Sequence, residues 1–216
     1  MSTELVKTDI DVANLALDIL GVENIMDIEA STGSATAKKV ANICRRNVAR
    51  VRRSLLAAYP WSIAFKRQTL SPESETPAFD YSYMFLKPTN CLRVWKINGY
   101  RVPHEGYSIE GNYILANVDS LDVKFTLDNT TYVKWPPVLI DAFGYHLALA
   151  IATGVGYKLK DIGPVKELAD EKLGDAMSAD MNTDEFETVR GDTQFELERN
   201  YGSYSQTAPW PTEWES

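Results

Sequence analysis

The sequence predicts an α+β chain: mainly an α-helical bundle of about four helices, with a small antiparallel β insert between helices two and three. Three observations carry that expectation. Apolar residues fall at Val40, Cys44, Val48, Val51 and Leu55, spaced four, four, three and four, which is the stripe a helix turns toward a core. After Pro60 the apolar period shortens from about 3.6 to about 2, the change from helix to strand. Val138 to Thr153 is apolar on nearly every side, which marks a central, buried helix. The expected parts are 1–61 and 135–187 as the two helical parts of the bundle, 62–134 as the β insert, and 188–216 as an extended C-terminal arm.

Taken in order, Thr8 and Asp11 have capping-box spacing. Val12, Leu15, Ala16, Ile19 and Leu20 continue as a helical stripe, and Gly21 closes it. Val22 to Gly33 reads as a connector whose Ile25, Met26 and Ile28 dock on the core. Ser34 is placed to cap the long helix. That helix ends near Ala58, because a residue before proline is driven out of the helical region and Tyr59 precedes Pro60. Trp61, Ile63 and Phe65 then alternate with Ser62, Ala64 and Lys66. Ser71 to Ala78 is an exposed loop. Tyr81, Tyr83 and Phe85 alternate again. Cys91 to Ile97 is a strand, and Asn98-Gly99 turns it back into Tyr100 to Val102, since both central residues of a type I′ turn need positive φ. A second hairpin turns at Glu110-Gly111-Asn112. Val123, Phe125 and Leu127 give one more strand. Pro136 and Pro137 sit in a first helical turn, where a missing N–H costs nothing. Pro164 opens a last helix carrying Val165, Leu168, Ala169, Leu173, Ala176 and Met177.

A chain of 216 residues with a net charge of −8 buries an ample core and is a poor general binder of nucleic acid or membrane surfaces. The start, MSTELVKTDID, has no apolar run of signal-peptide length, and no window approaches 18 uninterrupted apolar residues, so neither a leader nor a membrane span is expected. Cys44 and Cys91 read as two buried thiols. Gly154-Val-Gly156-Tyr-Lys158 follows a helix and fits no phosphate-binding fingerprint. His104 and His146 lack the neighbours a metal site needs. No nucleophile elbow is present. Carboxylates are plentiful, and hydrolysis by a carboxylate pair across a cleft remains an alternative that sequence leaves open.

The long helix carries one anomaly. Its outer face holds Lys38, Lys39, Arg45, Arg46, Arg50, Arg52 and Arg53, and no acidic residue occurs between Glu29 and Glu73. One reading is a solvated face paired with neighbouring acids. The other is a surface facing a partner or a DNA conduit, which the absence of interleaved acids favours. Aromatics are not interleaved with the arginines, so stacking on single-stranded bases is not supported. From Glu167 onward there are 13 acidic and 3 basic residues, a complement to that helix.

Several segments, in this order, resemble the tail tubular protein A, or head-to-tail adaptor, family of short-tailed bacteriophages. They are ANLALDILGVENI, then SATAKKVANICRRNVARVRRSLLAAYPWSIAF with its long helix ending in Pro-Trp, then NCLRVWKING, then WPPVLIDAFGYHLALAIA, and last the acidic AMSADMNTDEFE. The resemblance covers about residues 10 to 190. It implies a virion structural protein without an active site or cofactor, sitting below the portal in a ring of about twelve copies. The implied partners are the portal protein, the tail nozzle protein, neighbouring copies, and genomic DNA crossing the channel without sequence-specific contacts. The implied location is the tail at the portal vertex, with the host cytoplasm during assembly. An adaptor-like protein with cell-wall hydrolase activity, and a stopper or completion protein of a long-tailed phage, are the alternatives. The closing segment matches no family motif. Its Tyr201, Tyr204, Trp210 and Trp214 are expected to form an arm that orders on a neighbour or on the portal, because large aromatics concentrate in interface cores; a tail that packs back over its own bundle is the alternative.

Overall fold

The computed structural model describes residues 8–29, 33–102 and 106–183. The expected arm, 188–216, therefore lies outside the described residues, as does His104. Residues up to Asp180 form one compact unit. The described residues form four helices and seven strands: α1 (Asp9–Ile19), α2 (Ala35–Ala58), β1 (Phe65–Leu70), β2 (Tyr83–Leu86), β3 (Cys91–Ile97), β4 (Tyr100–Arg101), β5 (Tyr107–Glu110), β6 (Tyr113–Ala116), β7 (Leu121–Leu127), α3 (Pro137–Val155) and α4 (Ile162–Thr183).

The strands overturn the expected fold class. They are not a small insert on a bundle but two antiparallel sheets, β1-β7-β3-β4 and β2-β6-β5. The sheets enclose a core of their own, built from Leu70, Phe85, Val94, Ile97, Ile114, Ala116, Leu121, Val123 and Phe125. Alternation along β7 aims Leu121, Val123 and Phe125 inward, against Phe85, Ile114 and Ala116 of the second sheet. The chain is thus a helical part and a two-sheet part, each with its own hydrophobic centre. One local expectation also shifts. Ser62–Ala64 is a 3-10 turn rather than strand, so β1 begins only at Phe65.

The helical part follows its sequence closely. Ser34 Oγ accepts from the Ala37 N–H at 3.2 Å, and the Asp11 carboxylate accepts from the Thr8 N–H at 2.9 Å. Val40, Cys44, Val48, Val51 and Leu55 are all buried. So is the run Leu139, Ala142, Phe143, Leu147, Ala148 and Ile151 of α3. By length and composition α3 could cross a membrane, but α1 and α2 pack against it and it serves as the axis of the helical core. Ile25 docks as expected, clamped by the Asn14 side-chain amide through two hydrogen bonds of 2.9 and 3.0 Å. Met26 does not dock and is 97% exposed. At the predicted hairpin, Asn98 and Gly99 both have positive φ, 48° and 84°, as a type I′ turn requires.

Two contacts fix how the elements close. A Cβ on Gly144 would stand 2.7 Å from Leu15 Cδ2 and 2.9 Å from its Cγ, so the bare glycine lets α1 settle against α3. Asp180, near the end of α4 and buried, accepts from the Ser62 N–H at 3.2 Å and from the Ser62 hydroxyl at 2.6 Å. This ties the last helix to the turn where the sheets begin.

A pair of glycine substitutions tests the packing. Gly174→Ala, in α4 with open space around it, should gain up to about 1 kcal/mol from helix propensity. Gly144→Ala gains the same propensity but overpacks against Leu15, an effect of about 1–3 kcal/mol. The expected melting temperatures move in opposite directions, up for Gly174→Ala and down for Gly144→Ala. A rise for both would remove the close-approach argument.

Candidate interaction surface

The cations of α2 divide into two sets. Arg45, Arg46 and Arg50 are exposed and are held by the helix itself. Arg45 donates to Asn42 Oδ1 at 3.1 Å, and Arg46 Nε to the Asn42 carbonyl at 3.2 Å. Arg50 makes two bonds to Asn47 Oδ1, at 2.8 and 3.3 Å. Arg45 also stands 3.9 Å from Glu29, a pair exposed enough to contribute little. Lys39 is exposed and Lys38 half-buried. Together they form a cationic surface along α2, with Glu29 beside Arg45.

Arg52 does not belong to that surface, and its expected place on it needs correction. It is 5% exposed. Its Nε and Nη2 grip Asp128 Oδ1 and Oδ2 at 2.8 and 3.3 Å. Its Nη1 donates to the Tyr132 hydroxyl at 2.9 Å and reaches Asp9 Oδ1 at 3.4 Å. The Tyr132 hydroxyl in turn donates to Asp9 Oδ1. The reason lies in the spacing. Position 52 is four residues past Val48 and three and four before Leu55 and Leu56, so it falls on the buried side of the helix. Its aliphatic stem suits that side, and its charge is met there by a carboxylate. Arg53 keeps an exposed side chain, yet its Nε donates to Asp128 Oδ2 at 2.7 Å. It is thus partly committed inside the molecule.

The electrostatics follow. Burial pushes the Asp128 carboxyl up, but hydrogen bonds from Arg52 and Arg53, and their charges, outweigh burial and hold it below the usual carboxylate range. Burial and the Asp9 hydrogen bond push the Tyr132 phenol well above its ordinary value, so it stays a donor. Both cysteines are unpaired. Burial pushes the Cys44 thiol up to about 11 and raises Cys91 as well, so neither is a thiolate at neutral pH.

Beside the exposed arginines runs a groove of about 430 Å³, lined by Arg50, Ser54 and Ala58 of α2, His146 and Leu149 of α3, and Leu173 of α4. Burial holds the His146 pKa below its ordinary value, against the pull of Asp170. Among the described residues, no carboxylate lines this groove. Among the described residues, no group of three or more His, Cys, Asp or Glu side chains is placed to hold a metal. The arm aromatics Tyr201, Tyr204, Trp210 and Trp214 fall outside the described residues. The sequence reading missed the acid partners of Arg52, because Asp9 and Asp128 lie 43 and 76 residues away along the chain.

Removing the buried guanidinium should leave two carboxylates facing a phenol. Arg52→Ala is expected to cost about 3–5 kcal/mol, as breaking a buried pair does, read as a fall in the denaturation midpoint. The pH dependence has a definite sign. Asp128 has a folded pKa below its unfolded value of about 3.9, so its contribution is present above that value and is lost as pH falls through the folded pKa. Stability should therefore drop below about pH 4. Asp128→Asn should be less stable at neutral pH and lose less between pH 4 and pH 2. A profile identical in shape to the parent would contradict the assignment.

The sequence matches no protein-family model and no curated protein.

Proposed function

We propose that this chain is a structural protein of a short-tailed phage virion: a head-to-tail adaptor that forms a ring between the portal and the tail nozzle and catalyses no reaction. One observation carries the reading. Three of the segments that resemble the adaptor family, those around α1, α2 and α3, build the helical core, whereas NCLRVWKING forms β3 of the larger sheet. The Pro-Trp step after α2 supplies Trp61, which is 1% exposed and donates its indole N–H to the Leu55 carbonyl at 2.9 Å. The Trp-Pro-Pro step before α3 supplies Trp135, which meets Tyr132 edge-on and Phe143 at a tilt. Residues that look like sequence signatures and also organise the fold support common descent more than a chance run of letters would.

In this reading the exposed arginines of α2, ordered by Asn42 and Asn47, meet an acidic neighbour. Charge on such a surface sets register and partner choice more than raw affinity. The free protein is expected to be mostly monomeric and to close into a ring on a portal template, which fixes the rotation that a heterologous ring contact needs.

The test is negative-stain microscopy of the purified protein mixed with portal protein. The expected outcome is a ring of about twelve copies seated on the portal. Replacing Arg46 and Arg50 together by Glu should weaken attachment by about tenfold or more, while thermal unfolding stays within about 0.5 kcal/mol of the parent. No portal complex with the parent protein would sink the reading. Normal attachment by the double variant would move the contact elsewhere.

A further inference from the structure

The smaller sheet is apolar on its outer face as well as its inner one. Phe85, Ile114 and Ala116 belong to the core between the sheets, so their neighbours along β2 and β6, Met84, Leu86, Tyr113 and Leu115, lie on the other side. Strand pairing sets these side by side, Met84 opposite Leu115 and Leu86 opposite Tyr113. Glu110 of β5 lies opposite Tyr113 from the other flank. A solvated sheet face ordinarily carries polar residues at such positions. The chain just before β2 folds over part of this face, and Leu115 beneath it is only 8% exposed. A cleft of about 280 Å³ runs between the two, walled by Phe79, Asp80 and Tyr81, floored by Met84, Tyr113 and Leu115, and flanked by Glu110. Among the described residues, no lysine or arginine lines it.

The wall is held in a backbone conformation that the chain does not take by default. The Tyr81 N–H donates to the Phe79 carbonyl at 2.8 Å, around an Asp80 whose φ is 66°. A three-residue turn with positive φ at its centre is rare and strained. The Asn117 amide pins it, accepting from the Ser82 N–H at 2.8 Å and donating to the Asp80 carbonyl at 3.5 Å. Phe79 is left 76% exposed. Strain of this kind persists only where neighbours impose it, and it clusters at ligand clamps. A large aromatic held in water gives the fold nothing in return.

We propose that this cleft binds a quaternary ammonium head group of the choline type. Phe79, Tyr81 and Tyr113 supply aromatic rings, whose faces attract a cation, and Asp80 and Glu110 add negative charge beside them. The supply of acceptors decides between kinds of cation. A primary ammonium or a guanidinium brings several N–H donors, which must be met once it is enclosed. Here the carbonyls of Phe79, Asp80 and Met84 already accept from N–H groups of the chain, and Glu110 accepts from the Ser108 hydroxyl at 3.0 Å. A quaternary ammonium has no donor to satisfy, and its methyl groups suit the apolar floor of Met84 and Leu115. The cleft is smaller than the roughly 300–1,000 Å³ that drug-sized ligands fill, which fits a head group rather than a larger molecule.

The experiment is saturation-transfer NMR of the full chain with choline chloride. Two comparison ligands run beside it: ethanolamine, which lacks the methyl groups, and the neutral alcohol in which carbon replaces the choline nitrogen. A dissociation constant of about 1 mM is expected for so small a group. Both comparison ligands should bind at least about fivefold more weakly, the neutral one because it loses the attraction to the rings. Phe79→Ala removes a ring that stands mostly in solvent, and Asp80→Asn with Glu110→Gln removes the charge while asparagine tolerates the positive φ. Each variant should weaken choline binding by about fivefold at an unchanged melting temperature, which shows it folded. The proposal is overturned by no transfer to choline at about ten times the expected constant, by equal binding of the neutral alcohol, or by affinity indifferent to both variants. Displacement of choline by a lower concentration of arginine amide would also overturn it, and would indicate a basic protein segment instead. The inference does not rest on the adaptor reading. Portal complexes without choline binding remove this proposal alone, and choline binding without portal complexes removes that reading alone.

Discussion

A single buried guanidinium holds the helical part in register. Arg52 joins α2 to Asp9 at the start of α1 and to Asp128 and Tyr132, on the segment that returns from the sheets to α3. Taking such a charge out of water costs several kcal/mol unless its hydrogen bonds are met. Here Nε, Nη1 and Nη2 all find acceptors on that segment or on α1. The geometry is demanding, since a planar fork tolerates little displacement of the carboxylate it grips. An alternative packing of α2 would have to strand this charge, which makes the pair a device for selecting one arrangement of helices as much as a source of stability.

Around that fixed point the sequence was legible where structure is local. The spacing of Val40 through Leu55, the Ser34 cap, the Asn98-Gly99 turn and the all-round apolarity of α3 each depend on near neighbours, and each appears in the fold. What failed was long-range. The pattern showed alternating strands but not their pairing, and pairing is what turns seven short strands into two sheets with a core. Arg52 was misplaced for a related reason. Its charge pointed to solvent, its spacing pointed inward, and the carboxylate that reconciles the two sits at the far side of the β segment.

The candidate surfaces divide along the same line. The arginines of α2 are contiguous in sequence, so a face of one sign is evident on inspection, although only part of it reaches solvent. By contrast, Arg67, Lys124, Lys96 and Arg101 come from four different strands and are brought into one row only by pairing within the larger sheet. No window of the sequence contains it, and local composition gives no hint of it. The exposed arginines of α2 sit on a chain with a net charge of −8, so they act as a local field against an opposing background.

The way the sheets join the helices has an evolutionary consequence. The Asn129 side-chain amide donates to the Ile63 carbonyl at 3.0 Å across 66 positions of sequence, and Phe65 pairs with Thr126 just beyond. The two-sheet part therefore leaves and re-enters the helices through one narrow doorway. Segments whose ends meet in this way are readily gained, lost or exchanged, because the host needs only a short bridge in their place. The helices can keep their packing while this appendage changes size or surface, so divergence between related chains should concentrate between Ile63 and Asn129.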